Sequence, residues 1–170
     1  FMNVSLYENV IKDIDSYVCD VINEGFENIQ IGEDLFKNVR QRGEDELVRF
    51  LLEKYPNFYS SLNFVRKSPE HQIEPNFIHT DEMMGDLTAI LYLNYNPPKE
   101  DGTTLYYKGE KSCILKSKLN RLIVFPSYLE HSRNIFGNFG DEDNESRLIH
   151  VCFLKENITY EQYWIKIRNN

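Results

Sequence analysis

From Tyr59 onward the chain breaks into short segments rich in β-branched and aromatic residues, separated by turn formers, and this texture restricts it to a mainly β architecture. Strands are expected near Ser61–Arg66, Asn76–Thr80, Leu87–Asn94, Thr103–Tyr107, Ser112–Leu115, Arg121–Phe125, Ser132–Phe136 and Arg147–Leu154. Short strands with a turn signal between each pair predict a sandwich or small barrel of the jelly-roll kind. Asn96 to Gly102 is a clear loop. Gly137 to Ser146 is another, acidic and glycine-containing, and is expected to be solvated and mobile.

Ahead of the strands the period changes from two to about 3.6. Between Glu8 and about Gly25 the apolar residues Val10, Ile11, Ile14, Tyr17, Val18, Val21 and Ile22 recur at three- and four-residue steps, which predicts a helix with one buried stripe and Gly25 as its stop. A second helix is expected over Asp45 to Tyr55, with Leu47, Phe50, Leu51 and Leu52 on its buried side and Pro56 just beyond. Phe26 to Gly43 fits neither period. The tail from Thr159 to Arg168 predicts a short terminal helix. The reading is one α+β, mainly β domain over residues 1–170, with a helical N-terminal support (1–58), a jelly-roll core (59–155) and a C-terminal helix (156–170). A chain of 170 residues, 41% of them apolar, can bury one sizeable core.

The charge balance, 19 basic against 27 acidic residues, argues against a nucleic-acid backbone as partner. With no apolar run of about 18 residues and no signal pattern, no membrane association is expected and the location is read as cytoplasmic. Cys19, Cys113 and Cys152 are far apart and form no CxxC pair, so they are expected as reduced core residues.

Among these segments, Asn76-Phe77-Ile78-His79-Thr80-Asp81 carries the first chemistry. On an extended backbone, residues i and i+2 point the same way, so His79 and Asp81 can converge on one ion. A site of two histidines and a carboxylate needs one more imidazole. His131, 52 residues on and just after the apolar run Leu122–Phe125, stands where a jelly roll could return the chain beside its starting strand. Alternation along Arg147–Phe153 puts Arg147, Ile149, Val151 and Phe153 on one face and His150 on the other, while His71 sits in a polar stretch. An arginine opening an apolar strand offers a planar fork for a carboxylate, and the Tyr92 hydroxyl can add a second donor.

In order along the chain, His79-Thr80-Asp81, Leu91-Tyr92-Leu93-Asn94, Asp101-Gly102-Thr103-Thr104-Leu105, Arg121-Leu122-Ile123-Val124-Phe125-Pro126, His131-Ser132 and Arg147 resemble the motifs of the 2-oxoglutarate- and Fe(II)-dependent oxygenases, above all their prolyl 4-hydroxylase-like branch. The resemblance covers about residues 60 to 155. It implies a double-stranded β-helix with flanking helices. His79, Asp81 and His131 would be the iron ligands, Arg147 would bind the far carboxylate of 2-oxoglutarate, and Tyr92 would hydrogen-bond it. It further implies a dioxygenase that consumes O2 and 2-oxoglutarate, releases succinate and CO2, and hydroxylates a C–H bond of a peptidyl, prolyl-like or amino-acid substrate. Arg147 follows His131 by 16 residues, against about ten in the family, which a loop over Gly137–Glu145 bulging out between two paired strands would explain. Arg133 is the competing anchor. Arg133, Tyr106, Tyr128 and Asn94 are the remaining candidates for substrate contact or ligand support. The acidic stretch 141–145 reads either as a solvated loop or as an attraction for basic peptides.

Two other readings remain open on the residues alone. One is a cupin-like metal protein that does without 2-oxoglutarate, against which a His-x-Asp rather than His-x-His counts. The other is a non-catalytic jelly-roll binding module in which a fully ligated metal staples strands.

Overall fold

Strict alternation in one long strand, β10 (Arg147–Glu156), divides the interior of this computed structural model, which describes residues 3–74, 77–134, 137–143 and 145–170. Leu148, His150, Cys152 and Leu154 point to one side, and Ile149, Val151 and Phe153 to the other. A strand buried on both faces is apolar almost throughout, which is why its sequence reads as a run rather than as an alternation.

β10 pairs antiparallel with β4 (Phe58–Ser68) on one side and β5 (Leu87–Tyr92) on the other. The sheet continues beyond β5 through β8 (Leu122–Pro126) to β1 (Ser5–Tyr7), and beyond β4 through β3 (Asp34–Gln41) to β2 (Glu27–Ile31). Helices α1 (Ile14–Glu24) and α2 (Glu46–Lys54) cover one face, burying Tyr17, Val18, Val21, Leu47, Val48 and Leu51 against Val65, Leu91, Val124 and Leu148. Asp13 and Asp45 cap the two helices by accepting backbone N–H groups of their first turns. On the opposite face a second antiparallel sheet, β7 (Glu110–Lys116), β6 (Gly102–Tyr107) and β9 (His131–Arg133), closes over Ile90, Tyr92, Ile123, Phe125 and Ile149. Gly102 permits part of this closure. Its φ is +148° and a Cβ there would lie 1.9 Å from the Leu115 carbonyl oxygen.

Several sequence expectations need correction. The first helix begins at Ile14, not near Glu8. Asn9 takes a positive φ, and Ile11, although buried, reaches the core from a loop whose N–H and C=O both bond the Asn120 side chain, at 2.8 and 2.9 Å. Residues 27–41, which fit neither period, form the β2–β3 hairpin. The region 1–58 therefore supplies three strands as well as two helices. Of the strand expected at Asn76–Thr80, only an isolated bridge at His79 exists, and Asn76 lies outside the described residues. The strand expected at Ser132–Phe136 is His131–Arg133, with Ile135 and Phe136 also outside them.

β9 and β10 belong to different sheets, so the residues between them cross from one layer to the other rather than bulging between paired strands. The described part of that loop makes contacts to the strands and segments around it. Gly140 O accepts from Glu70 N–H at 2.8 Å, Phe139 O from Arg147 N–H at 3.2 Å, and Asp143 pairs with Lys67. Of the three cysteines only Cys152 is buried, where burial raises its thiol to about 11, and Cys19 is exposed. The tail forms α3 (Tyr160–Arg168), opened by a Thr159–Gln162 capping box. Among the described residues no helix is long and apolar enough to cross a membrane.

Candidate metal centre and neighbouring arginines

His79 and His131 face each other as a hydrogen-bonded antiparallel pair, with His79 N–H donating to His131 O at 3.1 Å and His131 N–H donating back at 2.9 Å. This reciprocal bridge closes the 52-residue separation and sets the two rings side by side, centroids 4.4 Å apart. Asp81, whose N–H donates to Ser127 O at 2.9 Å, brings its carboxylate between them. One oxygen is 3.0 Å from His131 Nε2 and the other 3.5 Å from His79 Nε2. Each ring turns its Nδ1 to a carbonyl two residues back, Phe77 O and Leu129 O, both at 3.0 Å. A carbonyl oxygen only accepts, so each Nδ1 carries a hydrogen and each Nε2, the atom turned to the carboxylate, is the one that can offer a lone pair to a metal.

Three electron-rich atoms aimed at one point repel unless a cation lies among them, and these donor atoms all lie within 4.8 Å of one another. Two imidazoles and a carboxylate on one side suit a first-row divalent ion and leave its other positions to ligands from outside the protein. A stapling site would be closed by protein donors, and among the described residues this cluster offers three.

Beside the triad lies a group of arginines on the inner faces of the two sheets. Arg147 and Arg66 are diagonal neighbours across β10 and β4, since Arg147 stands opposite Ser68 and Ile149 opposite Arg66. Tyr92, opposite Ile149 on the other flank, is likewise diagonal to Arg147. Arg133, two residues beyond His131, stands opposite Thr103 of β6. Arg147 is buried, and its Nε is 3.3 Å from an Asp101 oxygen, which leaves the two terminal nitrogens of the fork uncommitted to that pair. The Tyr92 hydroxyl is buried against Thr103 Oγ1 at 2.6 Å, and burial raises its pKa. Glu74 lies between Arg66 (3.6 Å) and Arg133 (3.8 Å). Burial, then the charge of Arg147, lowers the pKa of both Arg66 and Arg133.

The structure thus brings together His79, Asp81 and His131, and sets Arg147 near Tyr92 and Arg133 on the inner faces of the two sheets, with Arg133 two residues from His131. It places the other candidates elsewhere. Asn94 clamps the end of β5 to the start of β10, donating to Ser146 O at 2.7 Å and accepting from Leu148 N–H at 2.9 Å. Tyr106 bonds Ser132 Oγ at 2.8 Å, and alternation turns Ser132 away from the side of His131. Tyr128 is exposed on the turn before β9. His150 belongs to the helix side, wedged between Tyr17 and Asn63, where burial lowers its pKa to about 4. Sequence reasoning quoted Asp101 and Thr103 within a family-like motif without giving either a role, and passed over Glu74 and Arg66. Of the latter two only Arg66 left a signal, because it follows Leu62 and Phe64 at two-residue steps on a half-buried face of β4.

No protein-family model matches the sequence, and no curated protein matches it. Solved structures do. A 2OG-Fe(II) oxygenase-family oxidoreductase from Burkholderia pseudomallei superposes with a TM-score of 0.59 at 11% identity, covering 92% of this chain and 86% of the other. The viral collagen prolyl hydroxylase of Paramecium Bursaria Chlorella virus-1 gives 0.57 at 13% identity, over 92% and 90%. The non-heme alpha-ketoglutarate-dependent epimerase SnoN of nogalamycin biosynthesis gives 0.62 at 12% identity, over 91% and 77%. The chain therefore carries the fold of the 2-oxoglutarate- and Fe(II)-dependent oxygenases, the family that its motifs resemble.

Proposed function

We propose that the protein is a 2-oxoglutarate- and Fe(II)-dependent dioxygenase whose two sheets are the halves of a double-stranded β-helix, and that it hydroxylates a C–H bond of an amino-acid or peptidyl substrate. The observation that carries this reading is the convergence of two imidazole Nε2 atoms and a carboxylate, with both rings oriented by backbone carbonyls, in a fold that also buries an arginine held to Asp101 through Nε. His79, Asp81 and His131 would hold the iron. Iron, 2-oxoglutarate and O2 together would supply the oxidising power, with 2-oxoglutarate leaving as succinate and CO2.

The chain's own residues bind and orient. The Phe77 and Leu129 carbonyls hold the imidazoles in the ligating tautomer. Asp101 fixes Arg147 through Nε, so that its remaining N–H groups can fork onto the far carboxylate of the cosubstrate. The Tyr92–Thr103 pair keeps a hydroxyl protonated on the same wall, and Phe125, packed on the His131 ring at 4.9 Å, contributes apolar surface that keeps water from that ligand.

Addition of Fe(II) and 2-oxoglutarate to protein prepared without oxygen should produce the weak visible charge-transfer band of the chelate. Its absence from iron-loaded wild-type protein overturns the assignment.

A further inference from the structure

We propose a second anion seat beside this site, formed by Arg66 and Arg133 and held in this structure by Glu74, which receives a main-chain carboxylate of the substrate itself: a free amino acid or the C-terminal residue of a peptide. The inference rests on the oxygenase reading and narrows it, because a residue inside a peptide chain has no main-chain carboxylate to offer.

The three arginines are unequally partnered. Arg147 has a close carboxylate partner in Asp101, at 3.3 Å. Arg66 and Arg133 share one carboxylate, at 3.6 and 3.8 Å, well outside the roughly 2.7–2.9 Å of a charge-assisted hydrogen bond, and the Arg133 nitrogen nearest it donates instead to the neutral Asn138 Oδ1. Arg66 Nε is buried and makes no hydrogen bond among the described residues. Glu74 is a poor fit on the arginine side and a good one on the other, where Asn138 Nδ2 donates to it at 2.7 Å. It also sits on the segment leading into His79 rather than on a strand, so it can withdraw without unpairing a sheet. An incoming carboxylate that meets both guanidinium groups at bonding distance gains what Glu74 leaves unmade.

Position supports a substrate rather than a second cosubstrate. Arg133 is on the same face of β9 as His131, two residues away, so the seat and the metal ligand are separated by about 6–7 Å of strand. A molecule anchored there by its carboxylate presents carbons a few bonds away to the triad. With Arg147 serving the cosubstrate, the two anions need not compete.

The test uses the whole protein loaded with Mn(II) and saturating 2-oxoglutarate without oxygen. It is titrated by calorimetry with matched acids and carboxamides: the common amino acids, their N-acetyl forms, and prolyl tripeptides. At least one acid should bind tenfold or more tightly than its amide. Arg66→Gln and Arg133→Gln should each bring that ratio close to one while 2-oxoglutarate affinity stays within threefold. Glu74→Gln, which keeps its size and its acceptor for Asn138, should bind the acid several-fold more tightly. No pair favouring the acid, an amide-capped peptide equal to the best acid, or unchanged acid affinity in Glu74→Gln overturns the seat. So does a loss of 2-oxoglutarate rather than acid in Arg66→Gln. Wild-type protein that prefers acids but fails to bind 2-oxoglutarate overturns the oxygenase reading and leaves the seat standing.

Discussion

Replacing Arg147 by methionine separates what the guanidinium contributes to the fold from what it contributes to ligand binding. In the folded chain its Nε is 3.3 Å from Asp101, with the two side chains 5% and 2% exposed. Removing the cation leaves the Asp101 carboxylate buried and unpaired, and breaking a buried pair from one side costs about 3–5 kcal/mol. Asp101 also binds the chain through its backbone, N–H to Pro98 O at 2.9 Å and O from Ser117 N–H at 2.8 Å, so the loop has reason to persist. Adding Asp101→Asn removes the orphaned charge and should restore most of the lost stability.

Ligand affinity should not return with it. A hydrogen bond to a charged group contributes about 1.5–3 kcal/mol, so losing a fork of two costs on the order of 3 kcal/mol, or about 150-fold in the Kd for 2-oxoglutarate. Denaturant midpoints report the first effect. Calorimetric titration of Mn(II)-loaded protein reports the second, with oxalate as control, since it chelates a metal but has no far carboxylate. A double variant that binds 2-oxoglutarate within threefold of wild type refutes the reasoning, as does an equal loss for oxalate. A comparable loss in Arg133→Met alone would move the anchor to that residue.

Three further outcomes are expected. His131→Ala should weaken Mn(II) binding by more than the roughly 10–100-fold that outer partners of a metal site contribute, measured by equilibrium dialysis, and retained affinity would contradict the triad. Burial holds His150 neutral with a pKa of about 4, against about 6.5 unfolded, so the unfolded chain takes up the extra proton between those values. The stability His150 contributes is therefore complete above about pH 6.5 and declines as pH falls toward 4, by about 3 kcal/mol relative to His150→Phe; a wild-type-minus-variant difference flat over that window contradicts this. Gly102→Ala should destabilise by on the order of 3 kcal/mol, because its Cβ meets the Leu115 carbonyl in a backbone conformation closed to L residues, and an unchanged Tm would count against the sheet closure described.

Local pattern made the strands from β4 to β10 and the helix α2 legible, because each carries its own period and punctuation. The first helix was misplaced for the same reason. Val10 and Ile11 continue the helical spacing, yet the bonds that fix residues 10 and 11 come from Asn120, more than a hundred residues away. The β2–β3 hairpin, with Ile31 and Leu35 exposed, has little burial to print an alternation on its sequence.

At the site, one-dimensional order named the imidazoles, the aspartate and Arg147, since those residue types are rare in the places where they stand. Which face each side chain takes along a strand also follows from chain order alone, as the split between His150 and Ile149 shows. The company each group keeps was decided only in three dimensions. That Asp101 would claim Arg147, that Glu74 would sit between Arg66 and Arg133, and that Asn94 would clamp a strand end all depend on which sheets meet face to face. The physical reason is range. Period and punctuation act over a few residues, whereas the pairing of a buried charge depends on desolvation and distance across a fold that the local sequence does not record.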